Sequence, residues 1–560
     1  MKPTVSIGNQ DFSSIREMNY FYIDKTDFIR QWWESGDIVT LITRPRRFGK
    51  TLNMSMLECF FSNQCRECRD LFKGLSIWSS EKYRALQGSY PVIFLSLANV
   101  KEPDYYRTRR KICQLITNLY MKNTFLLEEG FLKDKERAFF ENISVDMDDN
   151  AATMALHQLT DYLSRYYGKK VIILLDEYDT PLQEAYVNGF WNEMAAFIRS
   201  LFSASFKTNP FLERGLLTGI TRISKESIFS DLNNLEVVTT TSQKYETAFG
   251  FTEKEVVEAL RCFGFSDSFE KIKYWYDGFR FGKQGDIYNP WSITKYLDTG
   301  EFKSYWANTS SNLLVDKLIR EGEPDIKIAM EALLCDGQIE TEIDEEIIFE
   351  QLGDNSVAVW SLLLSTGYLK VVCAPVNESD NIYHLSLTNF EVKRMFRRMI
   401  QGWFGRKTTK YSDFIKALLA DDVDYMNQYM NQIALKTFSS FDSGKKPSEL
   451  SEPERFYHGF VLGLMIDLAD RYQIKSNRES GFGRYDVMLE PLEGGQPAYV
   501  LEFKVRNARR EKNLEETVRE ALRQIDERDY DAELTCKGFP KEKIRHYGFA
   551  FEGKRVLIGK

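Results

Sequence analysis

Hydrophobic positions follow two rhythms along the chain. Over residues 1–240, short aliphatic runs alternate with amphipathic helical stretches: Ile38-Val-Thr-Leu-Ile-Thr43, Pro91-Val-Ile-Phe-Leu-Ser-Leu97, Val171-Ile-Ile-Leu-Leu175 and Gly215-Leu-Leu-Thr-Gly-Ile220. Strands without polar alternation are buried on both faces, which is the signature of a parallel sheet covered by helices. The fold class predicted here is α/β, with Leu52–Phe61 as the helix that follows the first strand. Over residues 241–400, helical segments (Lys254–Phe263, Ser310–Arg320) mix with short turns, which predicts a helical middle region. Its Asp277-Gly278 pair predicts a tight hairpin turn. Over residues 401–560 the chain is helical and then changes near 480. Tyr485-Asp-Val-Met-Leu489 and Tyr499-Val-Leu-Glu-Phe-Lys-Val505 predict two strands, joined by a turn-rich stretch with Pro491, Gly494, Gly495 and Pro497. Leu514, Val518, Ala521, Leu522 and Ile525 then recur at helical spacing.

Composition sharpens this picture. At ~150 residues per domain, the 560 residues make three or four units. Hydrophobic residues at 43% and charged residues at 28% exclude a mostly disordered chain. With 74 Lys and Arg against 82 Asp and Glu, the net charge is −8, which argues against a polyanion-binding surface over the whole protein but not against a local basic site. No window reaches ~18 uninterrupted apolar residues, so no membrane span is expected; the richest stretch, Val357–Ala374, is broken by Ser361, Ser365, Thr366, Gly367 and Lys370. The start of the sequence has no basic head followed by an apolar run. Eight irregularly spaced Cys read as reduced thiols of a cytoplasmic protein. Cys65 and Cys68 have CxxC spacing but no second pair or nearby His. The four His form no ligand set, and nothing specifies an oligomer.

Two stretches carry candidate chemistry. The first strand runs into Arg44-Pro-Arg-Arg-Phe-Gly-Lys-Thr51 and then a helix. Gly49, Lys50 and Thr51 fit the end of a phosphate loop, while Arg44 stands where its first Gly is expected. In that reading Gly49 lets the backbone approach the phosphates of ATP, and helix-start amides point at them. Lys50 contacts the terminal phosphates, Thr51 ligates Mg²⁺, and Arg46 and Arg47 add positive charge. The third strand ends in Asp176-Glu177, an acid to hold Mg²⁺ followed by one to polarise the attacking water. Thr218 and Arg222, at the end of the fourth strand, are candidates for sensing the γ-phosphate. The plainer reading is that Asp176 and Glu177 cap a strand.

In the second stretch, Asp486 is followed sixteen residues later by Glu502-Phe-Lys504. Alternate strand residues share a face, so Glu502 and Lys504 point the same way, and a hairpin brings Asp486 to them. Asp486 and Glu502 are hard oxygen ligands that suit Mg²⁺ or Mn²⁺, and Lys504 would orient or activate water. The plainer reading is an exposed strand pair with an ordinary Lys–Glu face.

Tyr22-Ile-Asp-Lys-Thr26, Arg44-Pro-Arg-Arg-Phe-Gly-Lys-Thr51, Asp176-Glu-Tyr-Asp179, Tyr288-Asn-Pro-Trp291 and Gly367-Tyr-Leu369 together resemble bacterial AAA-ATPase-like proteins with a C-terminal nuclease-like domain. The Pro-Arg-Arg-Phe-Gly-Lys string, Phe48 included, is typical of that family and accounts for Arg44. Asp486, Glu502 and Lys504 resemble the PD-(D/E)xK nuclease superfamily, without its leading Pro. That resemblance implies catalytic support from Glu454, in an upstream helix, and from Gln524 and Tyr530 downstream. The layout implied is an AAA-like P-loop domain at 1–240, a helical middle or lid region at 241–400, and a nuclease-like α/β domain at 401–560. The activities implied are ATP hydrolysis and Mg²⁺-dependent cleavage of DNA or RNA. A nucleotide-regulated scaffold, binding nucleic acid or protein without cutting, is the alternative; Arg44 and the acidic net charge favour it, and the Asp486, Glu502 and Lys504 set favours the enzyme.

Overall fold

A computed structural model of the chain describes residues 3–221, 228–229, 232–307, 313–321, 324–334, 336–344, 355–373, 382–403, 413–437, 461, 465, 468, 471–476, 479–480, 483–484, 486–492 and 495–560. The chain divides into two compact units, Met1–Leu318 with Glu340–Lys393, and Ile319–Ile339 with Arg394–Lys560.

The first unit is built on β1 (Val39–Thr43), β2 (Val92–Ser96), β3 (Val171–Asp176), β4 (Leu212–Gly219) and β5 (Leu235–Val238). They form one parallel sheet in the order β2-β3-β4-β1-β5. Both β1 and β3 are buried along their whole length, which is why their sequences are aliphatic throughout. Helices including Lys50–Phe61, Tyr105–Lys122, Asp149–Tyr167 and Trp191–Phe206 lie between the strands in sequence. The four aliphatic runs are therefore β1 to β4. The short β5, interrupted by Glu236 and mostly half-buried, carries no such run in the sequence.

A small antiparallel sheet follows: β6 (Phe251–Thr252), β7 (Phe279–Phe281) and β8 (Gln284–Tyr288), in the order β6-β8-β7. The predicted hairpin turn at Asp277-Gly278 is not there. Helix Phe269–Tyr276 ends at Asp277, and the β7–β8 turn falls at Gly282 and Lys283. Gly278 has another cause: a Cβ on it would lie 2.1 Å from the Thr388 carbonyl oxygen. Helix Pro290–Thr299 starts with Pro at its first position, where no N–H is needed, and Asn289 caps it by accepting from the Trp291 and Ser292 amides. The strands β9 (Ile339–Glu342), β10 (Leu369–Cys373) and β11 (Ile382–Leu387) form a third sheet, in the order β10-β11-β9.

The second unit contains β12 (Tyr472–Ser476), the short β13 (Glu479–Ser480) and β14 (Gly483–Arg484), then β15 (Val487–Pro491), β16 (Ala498–Val505), β17 (Ile544–Glu552) and β18 (Arg555–Gly559). Its main sheet runs β12-β15-β16-β17-β18; β16 and β17 are parallel and the other pairs antiparallel. Parallel neighbours need a crossover, and helix Leu514–Glu527 lies in it. Tyr499, Leu501 and Phe503 face one buried core with Phe414 and Met430. Ala498 and Val500 face the other, with Ile525 and Tyr530. Glu502 and Lys504 continue that second face.

Candidate functional site

Beyond the carboxyl end of β1, the chain turns through residues 44–49 into helix Lys50–Phe61. Open α/β sheets take ligands at this end. Arg47 (φ 64°) and Gly49 (φ 81°) are both left-handed, a conformation easy for Gly and strained for Arg. Arg44 explains the missing first Gly. Its side chain is buried, donating from Nη1 to the carbonyls of Thr43 (2.9 Å) and Thr239 (2.5 Å), with the guanidinium 4.5 Å from the Phe281 ring. Burial lowers its pKa to about 9. The residue braces the loop from the core instead of lining it.

Lys50 is 4% exposed, and its Nζ donates to the Arg44 and Pro45 carbonyls at 2.9 and 3.0 Å. Burial pushes its pKa down, and Glu177, Asp179 and Asp176 oppose that shift. Thr51 Oγ1 donates to Asp176 Oδ2 at 2.8 Å, and Thr218 Oγ1 donates to Asp176 Oδ1 at 2.5 Å. Burial raises the Asp176 pKa, while these two hydroxyls favour its charged form. Glu177 sits at φ 52° and accepts from Thr180 Oγ1 at 3.3 Å. Sequence positions 51, 176 and 218 thus meet on one carboxylate. Asp179 of the same string is fully buried and accepts from the Ile220 and Thr221 amides at 2.9 and 3.0 Å, so it fastens the end of β4. Arg46 Nη2 donates to Gln183 Oε1 at 3.2 Å. The Phe48 ring is buried against Phe279 and Phe281. Arg222 lies outside the described residues.

A cleft of about 410 Å³ opens over the loop, lined by Arg46 to Asn53 and by Glu177. It is also lined by the N-terminal segment, including Val5, Asn9, Phe21 and Ile23, and by Phe251 and Trp291. Sequence reasoning gave these residues no role. The Tyr22-Ile-Asp-Lys-Thr26 string held the signal, since it leads from that segment into helix Asp27–Ser35.

Beside the loop, Glu391 is 1% exposed and accepts from Ser292 Oγ (2.8 Å) and the Trp306 amide (2.6 Å). Burial pushes its pKa up to about 7. An unfolded carboxyl titrates at ~4.3, so this contribution to stability is whole below that pH and is lost as pH rises toward about 7. The expected loss is roughly 4 kcal/mol. Melting midpoints of wild type and Glu391→Gln followed from pH 4 to 8 check this: wild type should fall relative to the variant over that window and run parallel above it.

In the second unit, β15 and β16 pair with Val487 opposite Leu501. Asp486 stands one residue before β15 and not inside it, at a bend that turns its Oδ2 to accept from the Phe503 amide at 2.8 Å. The main chain, rather than a free strand face, thereby fixes the acid next to Glu502. Lys504 Nζ donates to Gln524 Oε1 at 2.6 Å; Gln524 Nε2 donates to Glu502 Oε1 and, at 2.9 Å, to the Tyr530 hydroxyl. Burial raises the Tyr530 pKa, and the charges of Glu502 and Asp486 push it the same way. Asp486, Glu502, Lys504, Gln524 and Tyr530 therefore form one polar cluster between the sheet and helix Leu514–Glu527. Glu454 lies outside the described residues. Among those described, no group of three or more His, Cys, Asp or Glu is arranged to hold a metal ion. None of the helices searched is long and apolar enough to cross a membrane.

Comparison with known proteins assigns both regions. Residues 6–229 match the family described as "Predicted AAA-ATPase", and residues 452–560 match the PD-(D/E)XK nuclease superfamily. The chain thus combines an AAA-ATPase-like domain with a nuclease-superfamily domain. It is also similar, at 28% identity over 95% of this chain and 94% of the other, to the "Uncharacterized protein in vnfD 5'region" of Azotobacter chroococcum mcd 1.

Proposed function

We propose that the N-terminal domain binds and hydrolyses ATP, and that the C-terminal domain is a Mg²⁺-dependent nuclease acting on DNA or RNA. The observation that carries this reading is the Thr51 hydroxyl at 2.8 Å from the Asp176 carboxylate, beside Lys50 and under a cleft that spares room for a nucleotide. A hydroxyl and a carboxylate are hard oxygen donors, so Thr51 and Asp176 fit Mg²⁺, which would neutralise phosphate charge there. Lys50, stripped of water by burial, would exchange two carbonyls for phosphate oxygens. Loop amides and the helix start favour the same anion. Glu177, lining the cleft one residue beyond Asp176, would accept the proton of the attacking water. Thr218 keeps the Asp176 carboxylate oriented.

In the C-terminal domain, Asp486 and Glu502 are the oxygen donors that would hold Mg²⁺. The ion would stabilise charge on the scissile phosphate. Lys504 would orient the attacking water, and Gln524 holds both Lys504 and Glu502 in place. A cytoplasmic location fits the seven described cysteines, all of them thiols.

The test is turnover in Glu177→Gln. ATP affinity should stay within about twofold of wild type while the hydrolysis rate falls by about 10²–10⁴-fold, the usual contribution of a positioned base. Unchanged turnover, measured as phosphate release, would remove Glu177 from the mechanism.

A further inference from the structure

The loop over residues 44–49 departs from a Gly-rich design, and the departure has a structural cost. Pro45 has no amide hydrogen to offer a ligand, and Arg47 holds a left-handed φ of 64° without being Gly. Such a residue persists only where its surroundings over-determine it. Those surroundings are residues more than two hundred positions further along the chain. Trp306 Nε1 donates to the Arg46 carbonyl at 2.9 Å, and Asn289 Nδ2 donates to the same oxygen at 3.4 Å. The Arg47 guanidinium lies 4.4 Å from the Trp291 ring centroid. A Cβ on Gly367 would meet Pro45 Cγ at 2.8 Å, so Gly is required there for the chain to pass.

This gives a role to two strings that stood out in the sequence without one. Tyr288-Asn-Pro-Trp291 supplies Asn289 and Trp291, and Gly367-Tyr-Leu369 supplies the close approach to Pro45. Trp306 is itself fixed: its ring packs on Phe279 and Tyr368 at 5.4 Å each, and its amide donates to Glu391. Asn289 has its Oδ1 committed to capping helix Pro290–Thr299. The Arg46 peptide unit is thus tied from its carbonyl side, which leaves the opposite side of the turn for the ligand.

We infer that Trp306, Asn289 and Trp291 are positioning residues of the nucleotide site, holding the Arg46 carbonyl and the Arg47 guanidinium so that the Gly-poor loop keeps an arrangement that accepts phosphate. The inference rests on the ATP-binding reading above. It predicts that these side chains set affinity and leave the chemical step alone, because their contacts are to the Arg46 carbonyl and the Arg47 guanidinium. Nucleotide should in turn change the environment of the two indoles.

The experiment measures Mg·ATP affinity and turnover in the full chain for Trp306→Phe, Trp291→Leu and Trp291→Tyr. Trp306→Phe keeps an aromatic ring between Phe279 and Tyr368 and removes one N–H; the expected result is about tenfold weaker ATP binding with kcat within about twofold. Trp291→Leu removes the face under Arg47 and should weaken binding about fivefold, whereas Trp291→Tyr, which keeps a face, should bind within about twofold of wild type. The change of indole emission on ATP addition should shrink in Trp306→Phe. If Trp306→Phe does not fold, the Leu and Tyr pair at 291 decides. Wild-type affinity in both Trp306→Phe and Trp291→Leu, whatever their melting midpoints, overturns the inference and leaves ATP binding standing. A wild-type chain that does not bind ATP at all overturns both.

Discussion

Asp486→Ala and Glu502→Ala should each abolish Mg²⁺-dependent cleavage of DNA or RNA, while ATP affinity stays within about twofold of wild type. The two carboxylates are the oxygen donors of the C-terminal cluster, Asp486 locked by the Phe503 amide and Glu502 by Gln524. Losing either would leave the proposed ion one hard ligand short, and a metal that stabilises the transition state by several kcal/mol is worth about 10³-fold in rate. Glu502→Gln is the sharper variant, because it keeps the volume and removes the charge; it should be as inactive as Glu502→Ala. Lys504→Ala should slow cleavage and leave metal affinity nearly unchanged, since an ammonium is not a metal ligand. Mn²⁺ should replace Mg²⁺. The proposed nucleotide site lies in the other compact unit, so neither substitution should change its affinity. Labelled single- and double-stranded DNA and RNA, incubated with each variant and either ion, give the readout. Cleavage that survives in Asp486→Ala would assign the activity to another site and return the domain to the role of a binding scaffold.

Lys50→Ala should weaken ATP binding by about a hundredfold, close to 3 kcal/mol, the upper range for a hydrogen bond to a charged group. The buried ammonium has three carboxylates in its field and only two carbonyls as partners. A triphosphate would add a charged partner in direct contact, where the ammonium now has only neutral carbonyls. Lys50→Arg should recover little of the loss, because a planar fork does not fit a space shaped around a point charge. Equilibrium binding of a fluorescent ATP analogue checks this, and wild-type affinity in Lys50→Ala would contradict it.

Much of the fold was legible because burial on both faces leaves a plain mark. Strands β1 to β4 are aliphatic runs, and the paired acids at the end of β3 follow directly from one of them. The Glu502 and Lys504 face was legible from strand alternation alone, and Gln524 and Tyr530 came from resemblance to a superfamily. What stayed hidden depends on contacts between distant positions. Arg44 reads as a defect in a phosphate loop until its guanidinium is found braced on the carbonyls of Thr43 and Thr239. Gly278 reads as a turn residue until the Thr388 carbonyl is found against it. Trp306 carries no sequence signal at all, because its partner is a backbone oxygen and any residue at 46 supplies one. The bend that puts Asp486 ahead of β15 was equally invisible, since nothing in Tyr485-Asp-Val-Met-Leu489 marks a break in a strand.

The most direct test of the account is a calorimetric titration of ATP into the full-length chain, with and without Mg²⁺. One saturable site per chain is expected, tighter with Mg²⁺ because Thr51 and Asp176 would hold the ion and it would neutralise phosphate charge. An absence of saturable heat in the presence of Mg²⁺, or binding that Lys50→Ala leaves untouched, would contradict it.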